Sequence, residues 1–126
     1  MFPATILFAS GNLPDHLAIR GHLSEMGYNL YCPDDLEELR LILRVHPRVD
    51  FVIFSSDLPG LENLIPVRNI RENYPATPIL LLMNSINIET MRLANIMGCN
   101  EVIKDPVSTR ELDLILSKYF AKSQTN

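Results

Sequence analysis

The sequence predicts a doubly wound α/β fold: a parallel five-stranded sheet with helices on both faces. Three observations predict it. The hydrophobic period switches between strand type and helix type along the whole chain. The apolar runs expected to be strands are short and almost uniformly apolar, as strands covered on both faces are. Each run is followed by cap or turn residues and then a helical stripe, and parallel strands need crossovers of this kind.

Residues 4–9 (ATILFA) are the first such run and read as a buried strand. Asn12 offers a helix cap, Pro14 suits a first turn, and Ile19, Leu23 and Met26 share one face of the helix that follows. Gly27 stops that helix. Residues 29–32 (NLYC) form a second strand. Asp34-Asp35-Leu36-Glu37 reads as a capping box with Asp34 as the cap, and Leu36, Leu39 and Leu43 stripe a helix that Pro47 ends. Residues 49–54 (VDFVIF) are apolar enough for a central strand.

Asp57-Leu58-Pro59-Gly60 is turn chemistry, and a helix over Asn63 to Asn73 takes Pro66 in its first turn. Residues 78–83 (PILLLM) are the most hydrophobic strand, followed by a helix from Ile88 to Met97 that ends at Gly98. Residues 101–104 (EVIK) are the fifth strand. Ser108-Thr109-Arg110-Glu111 is a second capping box, and Leu112, Ile115, Leu116, Tyr119 and Phe120 stripe the last helix. Residues 1–121 are expected to form one domain and 122–126 a frayed polar tail.

The length of 126 residues suits one domain. At 47% hydrophobic and 21% charged, the composition excludes disorder. The longest apolar run, Ile79 to Met83, is too short to span a membrane. Two cysteines, Cys32 and Cys99, without a visible signal peptide do not make a disulfide scaffold and are expected as core or half-buried residues. A net charge of -4 argues against nucleic-acid binding. A cytoplasmic setting is expected.

In this architecture ligands and chemistry gather at the carboxyl ends of the strands. The residues there are Ser10, Gly11 and Asn12; Ser55, Ser56 and Asp57; Met83, Asn84 and Ser85; and Asp105. The ordered punctuation of the chain resembles the receiver domain of bacterial response regulators, whose architecture is flavodoxin-like. The resemblance runs from about Thr5 to Phe120. It rests on Gly27-Tyr28 before the second strand, Pro59-Gly60 after the third, Pro78 before the fourth, Gly98-Cys99-Asn100-Glu101 before the fifth, and Pro106 after it. It implies the strand order 2-1-3-4-5 and a cis Asp105–Pro106 bond.

The resemblance also implies phosphoryl transfer to an aspartate, and every chemical position departs from that pattern. The acceptor, four residues before the turn proline, is Ser55. The acidic pair that normally holds Mg²⁺ falls on Ser10 and Gly11, or on Ala9 and Ser10 if the register slips by one. The hydroxyl residue ending the fourth strand is Met83, and the aromatic switch position is Val102. The lysine before the last proline is Asp105, with Lys104 one place early and facing away by strand alternation. Magnesium wants carboxylate oxygens, which Ser10 and Gly11 lack. Serine forms no acyl phosphate and is a weak nucleophile without an adjacent base. Reversing a unit charge at about 4 Å changes the Coulomb term by about 4 kcal/mol per sign at an effective dielectric near 20.

These departures predict a pseudo-receiver: no catalytic residue, no metal and no cofactor. Its expected work is protein–protein interaction in signal transduction or a phosphorelay, with neither nucleic acid nor membrane as partner. Residues 86–97 spread apolar side chains around much of a helix. Ile88, Met91, Arg92 and Asn95, with Val102, Lys104 and Leu112, are expected to form the docking face of the fourth helix, fifth strand and fifth helix. A second copy of the chain is one candidate occupant. One alternative is a small-ligand sensor lined by Ser10, Asn12, Ser55, Met83 and Asn84. The other is a residual phosphoacceptor at Asp57. His16, His22 and His46 have no ligand spacing and read as helix-surface residues, and Arg20, Arg40, Arg44 and Arg48 as a solvated face.

Overall fold

The structure is a computed structural model that describes residues 3–11, 14–46 and 48–124, with side chains as far as residue 120. Ten elements alternate: β1 (Thr5–Ala9), α1 (Pro14–Glu25), β2 (Asn29–Tyr31), α2 (Leu36–Val45), β3 (Phe51–Ser55), α3 (Ile65–Asn73), β4 (Ile79–Met83), α4 (Ile88–Met97), β5 (Glu101–Lys104) and α5 (Thr109–Gln124). The strands form one parallel sheet in the order β2-β1-β3-β4-β5. The doubly wound fold and its strand order are as the sequence predicts. The Asp105–Pro106 bond is cis.

Side-chain alternation divides the strands between two cores. Leu7, Val52, Phe54, Ile79 and Leu81 face one side, where α2, α3 and α4 add Leu39, Val67, Ile70 and Ala94. Ile6, Phe8, Phe51, Ile53, Leu80 and Leu82 face the other, where α1 and α5 add Ile19, Leu23, Leu112 and Leu116. Every residue of β3 is buried, which fits its place between β1 and β4.

Several boundaries move: β1 begins at Thr5, β2 ends at Tyr31, α3 begins at Ile65 and β4 at Ile79. β3 begins at Phe51 rather than Val49 and includes Ser55. The α2 cap is Asp35 rather than Asp34: its carboxylate accepts from the Glu38 amide at 2.7 Å. Met26 lies beyond the end of α1 and is exposed, while His16 completes the buried stripe with Ile19 and Leu23. The backbone of α5 continues to Gln124, into the segment set apart as a tail. Asn12 as a cap and Pro47 as a helix stop lie outside the described residues, as do residues 125–126. Ser108 caps α5 as expected, its hydroxyl accepting from the Glu111 amide at 3.0 Å.

Leu112 requires a correction. It is 1% exposed, in the core beneath α5, so it cannot belong to a docking face. Its place on the helix stripe already implied burial.

Candidate functional site

Parallel pairing brings the carboxyl ends of the central strands to one edge of the sheet. Ser10 follows β1, Ser55 ends β3, Met83 ends β4 and Asp105 follows β5. Ser10 and Ser55 are fully buried. The Asp105 amide donates to the Met83 carbonyl at 2.8 Å, continuing the ladder by one residue. The Ser56 amide donates to the Leu82 carbonyl at 2.8 Å in the same way. Lys104 is exposed.

A residue the sequence reading set aside occupies the centre. His16 is 1% exposed, against its expected place on the helix surface. Its ring packs on Phe8 with centroids 5.4 Å apart. Nε2 lies 2.8 Å from Asp105 Oδ2, and Nδ1 lies 3.9 Å from Asp57 Oδ1. The first distance is a hydrogen bond and the second is too long for one. A protonated ring would attract both carboxylates. The signal was available, because His16 stands three residues before Ile19 and seven before Leu23, on the face that α1 buries.

The same edge gathers more partners. Asp57 is not a simple turn aspartate. Its Oδ2 accepts the Gly11 amide at 3.0 Å, bolting the loop after β1 to the loop after β3. A Cβ at Gly11 would lie 2.7 Å from that oxygen and 2.8 Å from the Asp57 carbonyl, so the approach requires glycine. Arg20, expected on a solvated face, is half-buried instead. Its guanidinium lies 5.9 Å from the Phe8 ring centre, and Nη2 donates to Ser10 Oγ at 3.3 Å. The acidic Asp105 thus meets a protonatable ring from α1, His16, rather than a cation from the end of β5.

His16 Nδ1, Arg20 Nε, Asp57 Oδ1 and Asp105 Oδ1 are buried and make no hydrogen bond to a described residue. Even so, the donor set does not fit Mg²⁺. Ser10 and Gly11 carry no carboxylate, and Asp57 Oδ2 is held by Gly11. Among the described residues, no three His, Cys, Asp or Glu side chains are placed to share a metal ion. Nor is Ser55 paired with a base. It sits at the distance limit of a bond from the Asp57 amide, 3.5 Å, while both His16 nitrogens face carboxylates. Met83 is half-buried against the core and offers no hydroxyl.

The remaining strand-end residues stay outside this cluster. Asn84 and Ser85 are exposed, and the Asn84 amide donates to Ser56 Oγ at 3.4 Å. The other histidines have partners of their own. His22 Nε2 is 2.8 Å from Asp113 Oδ1, tying α1 to α5, and His46 stacks on Tyr31 at 4.4 Å. Both cysteines are free. Cys99 is buried and Cys32 half-buried, as expected, and burial pushes the Cys99 thiol up to about 11.

No family model matches the sequence, and no curated protein matches it. The structure does match solved ones. The chemotaxis protein CheY4 of Vibrio cholerae is 20% identical, over 93% of this chain and 98% of that one, with a TM-score of 0.83. The CheY-like response regulator receiver domain protein of Methanospirillum hungatei is 16% identical over 98% and 99%, with a TM-score of 0.85. The signal receiver domain of an HD domain-containing protein from Pseudomonas fluorescens is 22% identical over 98% and 99%, with a TM-score of 0.83. With its five parallel strands in the order 2-1-3-4-5, the chain has the CheY-like fold of response regulator receiver domains.

Proposed function

We propose that the chain is a receiver-like signalling domain that works without aspartyl phosphorylation, as a protein-interaction module with no catalysis of its own. One observation carries this reading. The acceptor position is a buried serine, and the two carboxylates after β3 and β5, Asp57 and Asp105, both face His16. A phosphoryl contact that biases two states has nothing to act on when Ser55, Met83 and Val102 hold the acceptor and switch positions. Asp57 does not replace the acceptor. One of its oxygens is held by the Gly11 amide, and the other is buried toward His16.

The interaction surface in this reading is α4 with β5. Ile88 is 76% exposed and Ile96 73%, and Arg92, Asn95 and Lys104 are exposed beside them. Ile86, Ile88 and Met91 border a shallow depression with Arg92 and Asn95. Exposed apolar side chains in this number favour a protein partner, and a second copy of the chain is one. The reading carries a cytoplasmic setting with it. No helix among the described residues is long and apolar enough to cross a membrane.

The test is an amide NMR titration with Mg²⁺ and then beryllofluoride. The expected result is no saturable shift at Ser10, Ser55 or Asp105. Saturable shifts there would overturn the phosphorylation-independent reading.

A further inference from the structure

A second surface lies on the far side of the fold from α5, between α2 and α3. The two helices border an open trough of about 680 Å³. On α2 the lining falls at Leu36, Leu39, Arg40, Leu43 and Arg44, and on α3 it runs from Pro66 to Asn73 at every third or fourth residue. That spacing marks facing stripes along the whole length of both helices, about 15 Å at 1.5 Å per residue. It describes a trough, not a local pit.

The sequence of α2 explains the open space. The helix is strongly amphipathic, yet Leu39 is its one fully buried residue, and Leu36 and Leu43 remain half-buried. Its apolar face is therefore only partly covered by the sheet and α3. The polar lining is selective. Arg40 and Arg44 are exposed, stand one turn apart, and pair with no described acidic residue. Among the described residues no aspartate or glutamate lines the trough, and the nearby Glu72 is engaged by Arg68 at 3.1 Å. Two guanidinium groups with no acidic partner among the described residues, beside the half-buried Leu36 and Leu43, select an anionic and partly apolar occupant.

We propose that the α2–α3 trough docks an acidic amphipathic helix of a partner protein. The partner's apolar stripe lies on the half-buried Leu36 and Leu43, and carboxylates one turn apart meet Arg40 and Arg44. A trough of three helical turns between two parallel helices has the shape that accepts a third helix. This surface is separate from the α4 and β5 face, so it stands or falls independently of that reading.

The test selects a display library of random peptides, about 16 residues long (roughly four turns), on the intact chain. Selected peptides are then measured against the wild type and the R40E/R44E variant. Both arginines are exposed, so the fold is expected to survive, and circular dichroism with amide NMR checks it. The expected peptides carry Asp or Glu at i and i+4 beside apolar residues and shift amides of α2 and α3. They bind the variant at least about tenfold more weakly and lose affinity as salt rises. Basic or uncharged binders would overturn the proposal, as would binding insensitive to R40E/R44E or no enrichment at all. Laurate is tested alongside. Saturable laurate shifts in the trough, without acidic peptides in the selection, would overturn the helix in favour of a small-amphiphile site.

Discussion

His16 on α1 and Asp105 after β5 are 89 residues apart in sequence and 2.8 Å apart in space, with side chains 1% and 6% exposed. The bond joins the first helix to the edge of the sheet that the last strand reaches. Removing one partner leaves a buried group without its counterpart, which costs more than the bond itself contributes. His16→Ala is therefore expected to lose about 2–3 kcal/mol in urea denaturation, and Asp105→Asn less, because the amide can still accept from the ring. In the double mutant the two losses should not add, since the variants share one contact. Additive losses would show that His16 acts through packing on Phe8 alone.

The loop after β1 touches the loop after β3 at a point where no side chain fits. Gly11→Ala would put a methyl group 2.7 Å from Asp57 Oδ2 and 2.8 Å from the Asp57 carbonyl. Truncating Asp57 removes the first contact and leaves the second. Gly11→Ala is expected to cost about 1–3 kcal/mol, and Asp57→Ala should not rescue it. Amide shifts in the variant should spread along both loops. Full rescue by Asp57→Ala would show that the carbonyl yields and that the side-chain clash alone sets the cost.

The scaffold was legible in the sequence for a physical reason. Strands buried on both faces must be short apolar runs, and helices on a sheet must be striped, so Ile79–Met83 and the α5 stripe announce themselves. Local chemistry near the caps was less exact. Asp34 and Asp35 can both cap a helix, and which one does so depends on where β2 ends. The site was the least legible part. His16 joins Asp57 and Asp105 only through the crossing of α1 over the sheet, and histidine suits a surface as well as a core. Arg20 shows the same limit: a charged residue on a helix gives no sign that it will fold over Phe8. The α2–α3 trough was hidden because Leu36 and Leu43 look like any core stripe until the depth of packing is known.

Arg71 holds three elements with one side chain. Its guanidinium donates to the carbonyls of Gly98, Tyr74 and Pro75 and to Asn100 Oδ1, at 2.7 to 3.1 Å. Asn100 Oδ1 in turn accepts the Ile79 amide at 2.8 Å, where β4 begins. The end of α3, the cap of α4 and the start of β4 are thereby fixed together. Arg71→Ala is expected to cost about 2–3 kcal/mol in chemical denaturation. Arg71→Lys should recover less than half of that, because a point charge cannot reproduce a planar fork. Recovery to the wild-type value would mean that charge alone, rather than geometry, holds the joint.

Glu101 at the start of β5 receives two donors from α5: Lys118 Nζ at 2.7 Å and the Tyr119 hydroxyl at 2.6 Å. Lys118, then Tyr119, hold its carboxyl below the ordinary value of 4.5. Burial, then the neighbouring Glu101, push the Tyr119 hydroxyl up to about 12 from 10.0. A depressed carboxyl contributes stability above its unfolded value and loses it as pH falls through the folded one. A raised phenol contributes below its unfolded value and loses it as pH climbs through the folded one. The cluster therefore supports the fold between the ordinary values of 4.5 and 10.0 and fails on both sides. Lys118 is 55% exposed, so its share is screened, and the Tyr119 bond carries most of the effect. Glu101→Gln is expected to be about 1 kcal/mol less stable than the wild type in urea denaturation near neutral pH. The gap should close as pH falls below the ordinary carboxyl value of 4.5 and Glu101 takes up its proton, since both proteins then carry a neutral group at this position. Tyr119→Phe should instead flatten the alkaline limb, because it removes the titrating hydroxyl. A Glu101→Gln gap of constant size from acid to neutral pH would show that shape at position 101, not charge, joins α5 to β5.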